Sequence, residues 1–250
     1  MIDIGANLSS NKFKKQQIPN VLSDAKSAGV SGIILTTVSE ASYLQNLELL
    51  QEDSSGLLVG TTWGVHPHYS DTFKNLSKHE LSSKVIAIGE TGLDYYRMLQ
   101  PKEVQVSAFE HQIEKANVTE LPLFLHERLA HEDFLSILKS NARTKKVVHC
   151  FTGNKDQLKA YLNEGCYIGV TGWVADKRRN QDLVEALKYC PVERLMIETD
   201  SPYLKPQKAK GDTNVPANLS FVQEAVSKYI SHKDLEQILL KNTKDFFGLK

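Results

Sequence analysis

The sequence predicts an α/β protein, specifically a (β/α)8 TIM barrel of the metal-dependent hydrolase type. Three observations carry this. Eight short apolar runs recur along the 250 residues. Segments with helical periodicity separate most of them. The runs are near-continuously apolar instead of alternating, as in a parallel sheet covered on both faces. Eight such units in this length fit a closed barrel. An open doubly wound sheet is the rival that periodicity does not remove.

The expected strands are Ile2 to Ile4, Gly32 to Thr37, Leu57 to Thr62, Val85 to Gly89, Pro122 to Leu125, Lys146 to His149, Tyr167 to Thr171 and Leu195 to Ile197. The expected helices cover Val21 to Ala28, Ala41 to Leu50, Val104 to Ala116, Phe134 to Leu138, Leu158 to Leu162 and Leu183 to Leu187. Two more follow the last strand, Leu219 to Tyr229 and Leu235 to Phe247. The stretch from His66 to Glu80 is irregular and holds at most a short helix. No Pro-rich or Ser-rich linker and no repeat divides the chain, so one domain over residues 1–250 is expected.

Composition narrows the function classes. Apolar residues make up 41% and charged residues 24%, an ordinary globular balance. Formal net charge is zero, which argues against a protein that coats nucleic acid by bulk charge but leaves room for a local basic site. No apolar run approaches membrane-spanning length, and the first residues show no leader pattern. Cys150, Cys166 and Cys190 are widely spaced and form no CxxC pair, so neither a disulfide framework nor a thiolate zinc site is indicated. A reducing cytoplasmic location is the expectation.

Chemistry concentrates at strand ends, where a barrel builds its active site. The first strand ends in Asp3-Ile-Gly5-Ala-Asn7. His66 and His68 follow the third, and Glu90 and Asp94 the fourth. His126 ends the fifth, His149 the sixth and Asp200 the eighth. A lone histidine on an apolar strand is usually a packed core residue. Polar ends on strand after strand make independent core roles improbable. A buried carboxylate such as Glu90 needs pairing or a cation. Imidazoles and carboxylates converging on a barrel mouth can hold divalent metal, and the mixed set leaves the metal open. A metal acidifies water and polarises a phosphoryl or carbonyl oxygen. Asp200 is the candidate proton acceptor. The bland reading of Glu90 and Asp200 is an ion pair with Arg97 or Lys205.

Six motifs in register then bring a family into view: GVHPH (64–68), IGETGLDYYR (88–97), LHERLAH around His126, HCFTG (149–153), IGVTGW (168–173) and IETDSPYL (197–204). Together they resemble the TatD family of metal-dependent deoxyribonucleases, within the amidohydrolase-like barrels. The resemblance implies phosphodiester hydrolysis, typically 3′→5′ trimming of single-stranded DNA or RNA. It implies one or two divalent ions, with Mg2+ or Mn2+ in use and Zn2+ also compatible. It implies Glu90, His126, His149 and Asp200 as metal ligands, with Glu90 bridging and acting with Asp200 in catalysis. It implies His66 as a contact to the substrate phosphate.

Three departures stand out. Many relatives carry an Asp-x-His-x-His first strand, where this chain has Gly5 and Asn7; a branch resembling the enteric bacterial protein shares the present pattern. Glycine supplies no ligand, and Asp3 remains as a ligand or as a group behind the ligands. Leu129 stands where an aspartate is common, and Val215 where a glutamate is common. Asn7, Tyr95, Arg97 and Arg128 are the further expected substrate contacts. The basic loops Lys177-Arg178-Arg179 and Lys205, Lys208 and Lys210 are expected at the mouth, able to neutralise phosphates. His68, His79, His111, His131 and His232 are expected at the surface or in caps. The expected partner is a nucleic-acid end, with no membrane and no obligate protein partner. Two rival readings remain: an ester hydrolase acting like a D-aminoacyl-tRNA deacylase, and a degenerate barrel kept as a binding protein.

Overall fold

The computed structural model describes residues 1–250. Eight parallel strands pair in chain order: β1 (Ile2–Ala6), β2 (Gly32–Leu35), β3 (Leu58–Trp63), β4 (Val85–Asp94), β5 (Leu123–Arg128), β6 (Lys146–Val148), β7 (Tyr167–Val170) and β8 (Leu195–Ile197). The ring closes just beyond β8. Ala6 and Ser201 form a parallel bridge, the Asn7 amide donates to Ser201 O at 2.7 Å, and the Asp200 amide donates to Gly5 O at 2.9 Å. The fold is a TIM barrel. The open-sheet alternative is thereby excluded.

Helices α1 (Ile18–Ser27) and α2 (Glu40–Glu52) follow β1 and β2. A 3-10 segment at Pro67–Thr72 and the short α3 (Phe73–Leu76) follow β3, in keeping with the irregular sequence there. Then come α4 (Lys102–Thr119), α5 (His131–Asn141), α6 (Lys155–Asn163) and α7 (Gln181–Leu187), with α8 (Leu219–Val226) and α9 (Leu235–Phe247) at the end. Helix starts carry their own signals. Ser39 caps α2, and Asn154 caps α6 by accepting from the Asp156 and Gln157 amides, both at 3.0 Å.

Two apolar layers set the polarity of the barrel. The outer layer joins strands to helices through residues such as Leu22, Phe109, Phe134, Tyr161 and Val222. The inner layer fills the barrel with Ile4, Ile34, Ala87, Phe124, Val147 and Met196. Phe246 and Phe247 of α9 join that inner cluster. Apolar side chains thus fill the barrel below the polar strand ends, as in other barrels. No helix is long and apolar enough to cross a membrane.

One strand differs in length from expectation. The glycine at 89 reads as a strand end, yet β4 continues to Asp94 and pairs with β5 as far as Asp94 and Arg128. Thr91 and Leu93 are buried, and so are Glu90 and Asp94 at the alternate positions, so the strand stays enclosed on both faces. Gly89 and Gly92 make this possible, at φ of +148° and +143°. A Cβ at Gly89 would lie 2.1 Å from Phe124 O, and one at Gly92 would lie 1.9 Å from His126 O. Glu90 therefore sits within a strand, not after one.

Candidate metal centre

Glu90 is buried, and its Oε1 faces three imidazoles. His149 Nε2 is at 2.8 Å, His126 Nδ1 at 3.0 Å and His66 Nε2 at 3.4 Å. One oxygen has two lone pairs, so hydrogen bonding alone does not account for the arrangement. Donor atoms of His66, Glu90 and His126 lie within 4.8 Å of one another. His126 Nε2 is buried without a hydrogen bond; its nearest acid, Asp94 Oδ2, is 3.5 Å away.

The surrounding carboxylates add to the case. Asp200 lines the same cleft and accepts from Asn7 Nδ2 at 3.1 Å. Burial pushes its carboxyl well above the usual range, with Glu90 and Glu198 adding to the effect. Burial also works against a charge on Glu90, but His149 and His66 outweigh it and hold that carboxyl low. Burial likewise opposes an imidazolium at His149, yet Glu90 and Glu198 push the ring well above the usual histidine range. His66 is driven well below that range by burial. His126 is raised, since its contacts with Asp94 and Glu90 outweigh burial. A divalent cation fits this donor set: neutral imidazoles supply lone pairs, and its charge offsets that of the buried carboxylates.

Several expectations are redrawn here. His66, expected to touch substrate, stands beside Glu90 as a candidate ligand. Asn7, also expected to touch substrate, lines the cleft but gives its amide to Asp200. Asp3 is not at the mouth. It is fully buried and accepts from Thr199 Oγ1 at 2.5 Å and the Thr199 amide at 2.9 Å, bracing the segment after β8 that carries Asp200. Tyr95 is turned out of the cleft: its hydroxyl donates to Asp133 at 2.8 Å, and Lys102 Nζ lies 4.1 Å from its ring. Arg97 and Arg128 do line the cleft, with Arg128 stacked 4.0 Å over the Tyr96 ring. His68, expected at the surface, also lines the cleft, with its Nε2 2.8 Å from Asp94 Oδ2. No ion pair joins Glu90 to Arg97.

Glu198 was not singled out by the sequence, yet it explains Gly5. Its Oε1 accepts from the Cys150 amide at 2.6 Å, and its Oε2 lies 3.4 Å from His149 Nδ1. A Cβ at Gly5 would meet Glu198 Oε2 at 2.5 Å, and one at Gly169 would meet Oε1 at 2.8 Å. The Glu198 carboxylate thus fills the space beside position 5. The signal was present in the sequence: an acid directly after the apolar run Leu195 to Ile197, much as Glu90 follows the run that ends at Gly89.

A TIM barrel whose mouth gathers imidazoles and carboxylates has the donor set of a metal-dependent hydrolase. Comparison with known proteins gives the family. The model of the family described as "TatD related DNase" matches residues 2–248, and the chain belongs to it. The protein "3′-5′ ssDNA/RNA exonuclease TatD" of Erwinia amylovora is 37% identical, with all of both chains covered. The protein of the same name from Escherichia coli K12 is 38% identical over 100% of this chain and 99% of its own. A crystal structure of a hydrolase TatD family protein from Entamoeba histolytica superposes with a TM-score of 0.88 at 28% identity, covering 100% of this chain and 98% of that one.

Proposed function

We propose that this protein is a metal-dependent nuclease that trims single-stranded DNA, and also RNA, from the 3′ end. The observation that carries the reading is Glu90 Oε1 facing His66, His126 and His149 at the barrel mouth. The printed names of the full-length relatives supply the substrate and polarity.

Glu90, His126 and His149 hold the ion, with His66 completing the donor set. The imidazole-rich set favours Mn2+ over Mg2+ and also suits Zn2+. With Gly5 giving no side chain and Asn7 engaged with Asp200, we propose one tightly held ion. When bound, it supplies Lewis acidity towards the phosphoryl oxygen and acidifies a water. Asp200 accepts the proton of the attacking water. The Asn7 amide fixes its Oδ1. Arg97 and Arg128 orient the backbone by pairing with phosphate oxygens. Asp94 braces His68 and, through Oδ1, accepts from the Tyr96 and Arg97 amides at 3.0 and 2.8 Å, so it sets the wall that carries Arg97.

The test is digestion of a 5′-end-labelled single strand with Mn2+, Mg2+ or EDTA. A ladder of shortened labelled products with metal, and none with EDTA, is expected. Release of the label as a mononucleotide would reverse the polarity. No product with any metal would sink the nuclease reading and turn attention to ester substrates.

A further inference from the structure

The loop after β7 is organised around a buried acid. Asp176 is 6% exposed, yet it holds two arginines. Its carboxylate accepts from Arg178 Nε and Nη2, both at 2.8 Å, and from the Arg178 amide at 3.3 Å. It also accepts from Arg179 Nε at 2.9 Å and Gln207 Nε2 at 3.2 Å. Two guanidiniums on one carboxylate leave a positive charge uncompensated.

Arg179 is fixed a second way. Its guanidinium carbon lies 3.7 Å from the centroid of the Trp173 ring, and the indole N–H donates to Arg179 O at 3.0 Å. One edge and one face are thus occupied, while the two terminal amino groups make no hydrogen bond within the protein. Trp173 and Arg179 line the same cleft as Glu90 and Asp200. A planar guanidinium held in this way is preorganised for the oxygens of a phosphate. The cleft measures about 940 Å3, large for a site serving a single phosphoryl group.

We propose that Arg179, positioned by Asp176 and Trp173, binds a phosphate of the single strand that flanks the bond being cleaved. This rests on the nuclease reading. The scissile phosphate belongs to the His66, Glu90, His126 and His149 cluster on the β3 to β6 side. Arg179 reaches the cleft from the β7 loop and is not among the residues around Glu90 Oε1, which leaves it for a neighbouring phosphate of the strand. Arg179 then governs the hold on the strand more than the chemical step.

The test compares the Mn2+-loaded wild-type protein with Arg179→Gln, Arg179→Lys and Asp176→Asn. The substrates are a single-stranded decanucleotide and a thymidine 5′-(p-nitrophenyl) phosphate, which carries one phosphodiester. For Arg179→Gln, kcat/KM on the decanucleotide should fall about tenfold more than on the small diester, mostly through KM. The slope of log affinity against log salt should shrink by about 1. Arg179→Lys keeps the charge but loses the fork held by Asp176, so it should recover only part of the loss. Asp176→Asn should move KM in the same direction with kcat little changed. Equal losses on both substrates, or a decanucleotide KM that stays put in Arg179→Gln, would overturn the assignment. Binding of the decanucleotide in a Glu90→Gln background is read separately by fluorescence anisotropy. Unchanged affinity there on adding Arg179→Gln overturns the subsite, whereas absence of turnover by the wild type overturns the nuclease reading.

Discussion

Gly5 and Glu198 illustrate how one residue choice constrains another. The Glu198 carboxylate is pinned by the Cys150 amide and sits where a side chain at position 5 would go. Introducing Gly5→His should overpack this volume, at a cost of about 1–3 kcal/mol. Thermal denaturation should show a melting temperature lower by several degrees; an unchanged or higher value would mean that Glu198 swings away freely. Asp3 gives a second residue-scale prediction. Burial pushes its carboxyl up to about 7, against 3.8 ordinarily, despite the hydrogen bonds from Thr199. The folded chain therefore keeps a proton that the unfolded chain releases near pH 4. Stability should fall as pH rises from about 4 to about 7, by a few kcal/mol at most. Asp3→Asn should flatten that fall in urea titrations across the same range, and an equally steep fall in the variant would exclude Asp3 as its source. The site residues were legible to different degrees. Glu90, His126, His149 and Asp200 stand at the ends of apolar runs, so position alone marks them. His68 and Asp94 stand near strand ends in the sequence, but their contact with each other appears only once loop and strand are folded together. Tyr95 lies outside the cleft although its sequence neighbours, Asp94 and Arg97, line it.

At the scale of elements, the eight apolar runs were enough to place eight strands, because parallel barrel strands are buried on both faces. The continuation of β4 past Gly89 was not legible. A glycine ordinarily signals a break, and only the close approach of the β5 backbone shows why it is needed here. Helix α9 was legible as a helix, but its partner was not. Asn242 Nδ2 donates to Val192 O and Leu195 O, both at 2.8 Å, tying α9 to the start of β8. Asn242→Ala should leave two carbonyls without this donor and destabilise the fold by about 1–3 kcal/mol. Urea denaturation checks this, and Mn2+ affinity at the far end of the barrel should stay unchanged. A variant as stable as wild type would show that α9 is held by its apolar face alone.

At the scale of the whole molecule, the barrel separates an apolar floor from a charged mouth, and the mouth couples metal to protons. Without a cation, Glu90 and Glu198 hold a proton on His149 more tightly than a free imidazole would. Metal ligation needs that ring neutral, so binding must release the proton. Apparent Mn2+ affinity should therefore fall as pH drops, starting above the ordinary imidazole range. Calorimetry in buffers of different ionisation enthalpy should show proton release on binding; an affinity that does not vary with pH would contradict the coupling. Saturating Mn2+ should also raise the melting temperature, since it binds only the assembled cluster.

The central claim is that Glu90 holds the cation on which cleavage depends. Its most direct test is Glu90→Gln, which keeps the shape of the side chain but removes its charge. Mn2+ affinity and digestion of a single-stranded oligonucleotide are measured on the same preparation. Both should fall together, by at least about 100-fold, with the fold intact by circular dichroism. A Glu90→Gln protein that binds Mn2+ and digests the strand as wild type does would contradict the account.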